Sequence, residues 1–296
     1  MPTFSQHLTK YLDADVIDSL LASLDDHPMD AVLLNENKMT KAEFLSRFPH
    51  VSPHPVVTNG FLYDKQEYPL GKSYLFDAGV YYLQEPSAMV VAHLLPIEKG
   101  DRILDLCAAP GGKSVQASLK LQGTGLLLAN DINYPRTKIL SSNIERMGLS
   151  NVVVTNDDFA NLSSKFTQFF DKIILDAPCS GSGMFRKLDT MKADWSYQKV
   201  LKYAQTQKSL IHMAYQMLAP GGIMVYSTCS YSYEENEEVI LDLLASTDAK
   251  MHPIKDHSSY YRHPSLPERP GDPPAQRTGE MDQGNPRAAR RTPGSA

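Results

Sequence analysis

Strand-like and helix-like segments alternate along this chain from about residue 76, and this alternation limits the possible fold more than any other feature. Short apolar runs, each long enough for one buried strand, lie at 102–106, 125–129, 152–155, 172–175 and 222–226. Segments with helical periodicity separate them, at 114–121, 134–148, 197–218 and 233–244. Strands that alternate with helices predict an α/β fold built on a doubly wound, mostly parallel sheet.

The last of these helices has a local start signal. Ser232 is followed three residues later by Glu235. This spacing predicts a capping box, in which each side chain accepts a hydrogen bond from the other residue's backbone N–H.

Two regions of the chain lack the alternation. Residues 1–75 mix helical and extended patterns, which predicts a small N-terminal α+β module before a main domain at 76–256. Residues 257–296 contain six Arg and no Lys, whereas residues 1–256 contain five Arg and eighteen Lys. Without hydrophobic periodicity this tail is predicted to be disordered. A natural flexible tail and an out-of-frame segment both explain it, and the switch from Lys to Arg favours the second.

Composition narrows the class of protein. No apolar run approaches the roughly 18 residues of a membrane span, and the N-terminus lacks the layout of a signal peptide. We therefore expect a cytoplasmic protein with reduced thiols and no membrane partner. Three cysteines without Cys-x-x-Cys spacing predict neither a disulfide framework nor a metal site. A net charge of −5 supplies no bulk electrostatic attraction for nucleic acid.

Two cysteines each follow a predicted strand. Cys179 lies in Asp-Ala-Pro-Cys-Ser-Gly, and Cys229 lies in Ser-Thr-Cys-Ser. Both thiols should project into the crevice at the strand ends, where open α/β sheets bind their ligands. A thiolate is a strong nucleophile, and carbon 6 of a cytosine or uracil ring is electrophilic. With a methyl-donor site upstream, the pair suggests an enzyme that methylates carbon 5 of a pyrimidine.

The candidate donor site is a strand, a glycine turn and a helix start at 103–114. Its end, Gly112-Lys113-Ser114, also matches the end of a phosphate-binding loop. That motif needs a glycine at position 107, which is Cys107, so the nucleoside triphosphate interpretation fails. The glycines are better explained as letting the backbone approach an adenosine-containing ligand at a helix N-terminus.

Acidic residues follow the next strands. Asp131 lies about twenty residues beyond the turn, where a carboxylate can accept hydrogen bonds from both ribose hydroxyls. Asp157 or Asp158 could receive an adenine amino group, and Asp176 ends the fourth strand. Each acid alone is as well explained as a cap or turn residue. Four successive strand ends that carry the glycine turn or an acid favour a binding site.

Four motifs resemble the Nol1/Nop2/Sun family of RNA cytosine-5 methyltransferases, most closely its bacterial ribosomal-RNA branch. They lie at 79–89, 107–113, 176–187 and 226–230, the last followed by Glu-Glu-Asn-Glu at 234–237, and the resemblance covers roughly residues 1–250. It implies a Rossmann-like methyltransferase sheet, S-adenosylmethionine as the cofactor, and 16S ribosomal RNA as the partner of a monomeric enzyme.

The resemblance also assigns roles. In that family the Thr-Cys cysteine attacks carbon 6 and the Pro-Cys cysteine assists product release, which implies Cys229 as nucleophile and Cys179 as release residue. Cys179 alone is ambiguous, because DNA cytosine methyltransferases use a Pro-Cys nucleophile. Asp158 fits the family's spacing from Gly148 better than Asp157. The implied S-adenosylmethionine ligands are Cys107, Ala108, Ala109, Pro110, Gly111, Gly112, Lys113, Asp131, Asp158 and Asp176.

Three residues, one of them Asp176 again, could act on the RNA itself. Attack at carbon 6 builds negative charge on the ring, and Asp176, beside Cys179, could relieve it with a hydrogen bond or proton at nitrogen 3. Arg186 and Lys187 lie just past the crevice, where they could hold an RNA phosphate. Solvated surface charge explains these two residues equally well.

Two departures from the family pattern leave alternatives open. The N-terminal module has Leu33-Leu34-Asn35 where the family usually has Arg-x-Asn, so a guanidinium that could hold RNA or brace the domain is missing. Neither the family's closing hairpin nor an RNA-binding domain is recognisable after Pro253. The first hypothesis is an active RNA cytosine-5 methyltransferase. The alternatives are a truncated, weakly active or RNA-binding homologue, and a transfer-RNA cytosine-5 methyltransferase.

Overall fold

A small antiparallel sheet with flanking helices forms the N-terminal part of the protein. The structure, a computed structural model, describes residues 2–25, 29–252 and 287–290. In chain order the N-terminal elements are α1 Phe4–Leu8, α2 Ala14–Ser23, β1 Asp30–Leu34, α3 Lys41–Arg47, β2 Ser52–Pro53, β3 Gly60–Tyr63, a 3-10 turn Leu70–Lys72, α4 Tyr74–Asp77 and β4 Tyr81–Gln84. The strand order is β2-β3-β1-β4.

Strand β4 lies beyond the module boundary that the sequence predicts at residue 75. It pairs with β1, Leu34 opposite Tyr81, and so belongs to the small sheet. The two strands are far apart in the chain, and local patterns do not reveal which strands pair over such a separation. The small sheet therefore ends at Gln84, shortly before the first helix of the larger sheet.

The larger sheet and its helices follow the predicted alternation closely. Its elements are α5 Pro86–Leu94, β5 Arg102–Asp105, α6 Gly112–Leu121, β6 Leu126–Asn130, α7 Tyr134–Met147, β7 Val152–Thr155, α8 Phe159–Lys165, β8 Phe170–Asp176, α9 Asp189–Asp194, α10 Tyr197–Met217, β9 Leu218–Ser227, α11 Glu237–Ser246, β10 Lys250–His252 and β11 Arg287–Arg290, with 3-10 turns at Ser182–Met184 and Tyr233–Glu235. The strand order is β10-β11-β9-β8-β5-β6-β7.

Five of these strands, β5 to β9, are parallel, which confirms the predicted α/β class. The chain winds from β5 outward to β6 and β7 on one side and to β8 and β9 on the other. Leu104 pairs with Leu128 and with Ile173, and all three side chains are buried beneath the helices. The carboxyl ends of β5 and β8 therefore flank the switch point where such sheets bind ligands.

Four residues of the C-terminal segment lie in the larger sheet. Arg287–Arg290 forms strand β11, which pairs antiparallel with β9 and with β10. A closing pair of strands therefore does follow β9. Backbone groups supply these hydrogen bonds, so the strand needs no apolar alternation in its sequence, which is why periodicity did not predict it. The remainder of 257–296 lies outside the described residues.

Across the segments that the structure describes, no helix has both the length and the apolarity needed to cross a bilayer.

Asn35, the last residue of the altered Arg-x-Asn motif, joins the N-terminal module to the main domain. Its buried amide donates to the carbonyl oxygens of Gly79, at 3.2 Å, and Met147, at 3.0 Å. A guanidinium also lies at this junction, because Arg146 donates to the Phe76 carbonyl oxygen and stacks over the Phe76 ring. The arginine that the motif lacks thus has a counterpart on α7 that braces the domain.

We expect Asn35→Ala to lower the free energy of unfolding by about 1–3 kcal/mol, because it leaves two carbonyl groups at a buried junction without their donor. Urea denaturation measures the change. Asn37→Ala, an exposed neighbour, is the matched control and should change stability by less than about 0.5 kcal/mol. Equal stability of the two variants would show that the Asn35 amide does not join the two parts.

Candidate active site

The two strand-end cysteines come into contact. Their Sγ atoms lie 3.0 Å apart, and the backbone N–H of Cys229 points to Cys179 Sγ at 3.3 Å. Both are free thiols, and Cys229 is the more exposed. The predicted convergence of the pair is therefore what the structure shows.

Hydrogen bonding separates the two thiols in acidity. The hydrogen bond from Cys179 lowers the pKa of Cys229 below that of an ordinary thiol, with the nearby Lys113 ammonium acting in the same direction. The same hydrogen bond, together with burial, raises the pKa of Cys179 well above its usual value. These opposite shifts favour a thiolate at Cys229 and a thiol at Cys179 that donates to it.

An ion pair lies beside the thiols at the switch point of the sheet. Lys113 Nζ contacts Asp176 Oδ2 at 2.7 Å, and Ser227 Oγ donates to Asp176 Oδ1 at 2.7 Å. The strand register produces the second contact, because Asp176 and Ser227 are direct partners in β8 and β9. Burial alone would lower the pKa of Lys113, but the adjacent Asp176 and Asp105 carboxylates raise it above its ordinary value. The two carboxylates therefore favour the ammonium form of Lys113.

The glycine turn after β5 is held by the acid after β6. Asp131 is buried, and its carboxylate accepts from the Ala109 backbone N–H at 3.2 Å and the Asn133 backbone N–H at 2.9 Å. Arg136 Nη1 lies 3.3 Å from the same carboxylate. Gly111 has φ 117°, a conformation that favours glycine, and α6 begins at the next residue. The turn and the acid therefore meet as the donor-site prediction requires.

A second acid lies under this turn. Asp105 is fully buried, with Ser114 Oγ donating to Oδ2 at 2.6 Å and Oδ1 without a hydrogen-bond partner in the described structure. Burial raises the pKa of Asp105 to about 7. The sequence does not predict this acid as a site residue, because it lies inside the apolar run 102–106 and not after it.

Asp158 is placed as a helix cap. Its Oδ1 accepts from the backbone N–H groups of Ala160, at 2.9 Å, and Asn161, at 3.3 Å, at the start of α8. The neighbouring Asp157 accepts from Asn161 and pairs with Lys165. Within the chain, Asp158 therefore acts as the N-cap of α8. Its role as a ligand of S-adenosylmethionine stays a prediction.

The other predicted residues lie at the edges of the site. Cys107 is partly buried against the core, and burial with the nearby Asp105 carboxylate raises the pKa of its thiol well above the usual value. Ala108 and Ala109 are buried beside the turn. Arg186 and Lys187 follow the 3-10 turn Ser182–Met184, with Arg186 exposed. Their proposed phosphate contact stays a prediction.

Two serines and one glutamate at the site are not predicted as site residues from the sequence. Ser180 and Ser230 directly follow the two cysteines, and both hydroxyls donate to Glu235 Oε2 at 2.5 Å. The predicted capping box is wrong, because Ser232 makes no side-chain cap and Glu235 points to the cysteine loops instead. Tertiary partners override the local signal. The repeated Cys-Ser pair was the only sequence feature that could have drawn attention to the serines.

The N-terminal helix α1 covers the far side of these loops. Phe4 contacts Phe185 edge to face, with ring centroids 4.9 Å apart, and His7 Nε2 lies 3.2 Å from Ser232 Oγ. Tyr11 donates to Glu234 Oε1 at 2.5 Å. The segments after both cysteines are therefore packed from behind by the first helix of the chain.

The match to known families covers most of the chain. The family described as 16S rRNA methyltransferase RsmB/F matches residues 92–266, and the N-terminal domain of 16S rRNA methyltransferase RsmF matches residues 1–86. The chain belongs to the RsmB/F methyltransferase family. Methyltransferases of this family use S-adenosylmethionine as the methyl donor.

Relatives within the RsmB/F family are longer proteins. Ribosomal RNA small subunit methyltransferase F of Vibrio parahaemolyticus is 39% identical over 217 residues, which are 71% of this chain and 45% of that protein. The protein of the same name from Serratia proteamaculans is 34% identical over 254 residues, 83% of this chain and 53% of that protein. The chain thus spans about half the length of these relatives.

Solved structures share the fold. A methyltransferase homolog protein from Pyrococcus horikoshii is 28% identical, with a TM-score of 0.73 over 84% of this chain and 80% of its own. NSun6 from Pyrococcus horikoshii, solved with SFG, gives a TM-score of 0.77 at 20% identity over 86% of this chain and 90% of its own. The second likeness concerns the fold alone.

We expect Lys113→Met to raise the pH at which the alkylation of Cys229 by iodoacetamide reaches half of its maximal rate. The substitution removes a cation that favours the thiolate and leaves the Asp176 carboxylate, which opposes it, without its ion-pair partner. The pH dependence of the alkylation rate, read by peptide mass spectrometry, measures the shift. Lys165→Met, which alters only the surface pair with Asp157, is the control and should leave the profile in place. A downward shift in Lys113→Met would contradict the electrostatic account.

Proposed function

We propose that this chain transfers a methyl group from S-adenosylmethionine to carbon 5 of a cytosine in 16S ribosomal RNA, through a covalent bond to Cys229. The observation that carries the proposal is the 3.0 Å contact between Cys229 and Cys179 beside the Lys113–Asp176 ion pair. The names of the longer relatives support small-subunit ribosomal RNA as the substrate.

The strand ends of β5 to β8 fit S-adenosylmethionine in their chemistry. The glycine turn at 107–113 offers backbone at a helix start, and the buried Asp131 carboxylate offers an acceptor for ribose hydroxyls. Asp158 would accept a hydrogen bond from the adenine amino group. Lys113, the last residue of the turn, forms an ion pair with Asp176. When bound, the sulfonium supplies the methyl group that carbon 5 accepts.

Attack begins with the Cys229 thiolate. Its sulfur forms a bond to carbon 6, and the electron pair of the carbon 5–carbon 6 double bond moves into the ring. The hydrogen bond from Cys179 and the Lys113 ammonium both lower the pKa of Cys229 and so favour its thiolate. The resulting enamine makes carbon 5 nucleophilic.

Charge on the ring is relieved at nitrogen 3 by Asp176. Both of its carboxylate oxygens accept hydrogen bonds, so a proton given to nitrogen 3 would come from the Lys113 ammonium across the 2.7 Å contact. That proton would return to the ion pair when carbon 5 takes the methyl group and the carbon 4–nitrogen 3 double bond re-forms. Ser227 holds the carboxylate in place meanwhile. The ion pair thus serves as both a proton reserve and a fixed acid.

Release reverses the covalent step. Loss of the carbon 5 proton to water restores the double bond, and the bond between carbon 6 and Cys229 breaks with its electron pair on sulfur. Cys179, which stays protonated, donates its S–H to the departing thiolate. The thiol pair therefore explains both roles: the hydrogen bond that stabilises the nucleophile also stabilises the leaving group.

We expect Cys229→Ala to abolish methyl transfer while donor binding stays near normal, because other strand ends form the donor pocket. Transfer of labelled methyl to 16S ribosomal RNA and calorimetric titration with S-adenosylmethionine are the two measurements. Cys229→Ser should be inactive as well, since its hydroxyl is not ionised at neutral pH. Retention of on the order of a tenth of wild-type turnover would remove Cys229 from the nucleophile role.

We expect Cys179→Ala to accumulate a covalent enzyme–RNA adduct, because attack and methylation can proceed while expulsion of the thiolate is slowed. A band shift that resists denaturant and disappears with RNase reports the adduct. The double variant Cys179→Ala/Cys229→Ala is the matched control and should show no shift. If the shift appears with Cys229→Ala alone, the two cysteines exchange roles.

A further inference from the structure

One buried carboxylate ties together the loops that carry the two cysteines. Glu235, in the 3-10 turn Tyr233–Glu235, is fully buried. Its Oε1 accepts from the Ser180 backbone N–H at 2.7 Å and from Gln207 Nε2 at 3.3 Å. Its Oε2 accepts from the hydroxyls of Ser180 and Ser230, each at 2.5 Å. One side chain thus accepts from four donors on three different segments.

The serines bound by Glu235 are the immediate neighbours of the reactive thiols. Ser180 follows Cys179 and Ser230 follows Cys229, and their hydroxyl oxygens lie 3.2 Å apart. A second link runs parallel to this one, because the Gly183 backbone N–H donates to the Cys229 carbonyl oxygen at 2.8 Å. A Cβ on Gly183 would lie only 3.0 Å from that oxygen, so the loops pack as closely as their backbones allow.

An ionised carboxylate suits this position better than any neutral side chain of its size. It is an acceptor only, and all four groups around it act as donors. A glutamine could keep its contact with the two serine hydroxyls only by donating to them, which reverses both hydrogen bonds and removes the charge that strengthens them. Burying a charge is costly unless such hydrogen bonds offset the cost, and burial does raise the pKa of Glu235. The four donors around Glu235 therefore favour a carboxylate at this position.

We propose that Glu235 is a positioning residue that fixes the separation of Cys179 and Cys229. It contacts neither the thiols nor any reacting atom, and it acts through Ser180 and Ser230. The catalytic consequence of this inference rests on the proposed function. The contact between the thiols favours the thiolate of Cys229 and assists its departure from carbon 6. The geometry itself is independent of which RNA is methylated.

Phenylarsine oxide tests the separation directly, because trivalent arsenic binds tightly only when two thiols are held close together. Wild-type protein should bind one equivalent at Cys179 and Cys229, and Cys179→Ser should abolish tight binding. Glu235→Gln should weaken binding about tenfold, as expected when charge-assisted hydrogen bonds are replaced by neutral ones. The matched control is Glu238→Gln on α11. It alters only a partly exposed ion pair with Lys208 of α10, and the variant should bind like wild type.

The acidity of Cys229 reports the separation of the thiols independently of stability. Ser180→Ala and Ser230→Ala should each raise the pH at which alkylation of Cys229 reaches half of its maximal rate, because a wider pair weakens the hydrogen bond from Cys179 that lowers the pKa of Cys229. A residue with a merely structural role would lower the thermal midpoint and leave that pH unchanged.

Wild-type affinity for phenylarsine oxide in folded Glu235→Gln would overturn the proposal. If that variant does not fold, Ser180→Ala and Ser230→Ala decide, and unchanged arsenical affinity in both would overturn it equally. The arsenical assay uses neither RNA nor methyl donor. Failure of wild-type protein to methylate RNA would therefore refute the proposed function while leaving the test of Glu235 readable.

Discussion

Parallel pairing between β8 and β9 fixes the geometry of the whole candidate site. The register places Asp176 opposite Ser227, at the ends of the two strands. Each strand then continues into a short loop that carries a cysteine three or two residues later. The 3.0 Å contact between the thiols follows from this register and from the hydrogen bonds that tie the loops together. A slip of one residue would turn the strand-end side chains to the opposite face of the sheet.

Charge around the thiols is arranged so that one of them ionises. Two carboxylates, those of Asp176 and Glu235, lie near the pair, and each alone would oppose a thiolate at Cys229. Lys113 offsets this by pairing with Asp176, and Cys179 donates a hydrogen bond to Cys229. The asymmetry between the two cysteines is therefore a property of their neighbours. It favours the thiolate at Cys229, the residue that the proposed function makes the nucleophile.

Much of this arrangement could be predicted from the sequence, because buried parallel strands appear as continuous apolar runs and the strand ends follow directly. The five central strands, the turn at 107–113 and the convergence of Cys179 with Cys229 were all accessible in this way. Contacts between distant segments were not. Ser232 and Glu235 fit a local capping signal, but Ser180, 55 residues before Glu235, supplies a better partner.

The covalent role of Cys229 is the claim on which the proposed mechanism depends most directly. RNA that contains 5-fluorocytidine at the target position tests it, since fluorine at carbon 5 cannot leave as a proton would and the adduct persists. The measurement is peptide mapping by mass spectrometry of the trapped complex of this chain with that RNA and S-adenosylmethionine. The account predicts a methylated fluorocytidine bound to the peptide that contains Cys229. A nucleotide bound to the peptide of Cys179, or no covalent complex under conditions where unmodified RNA is methylated, would contradict it.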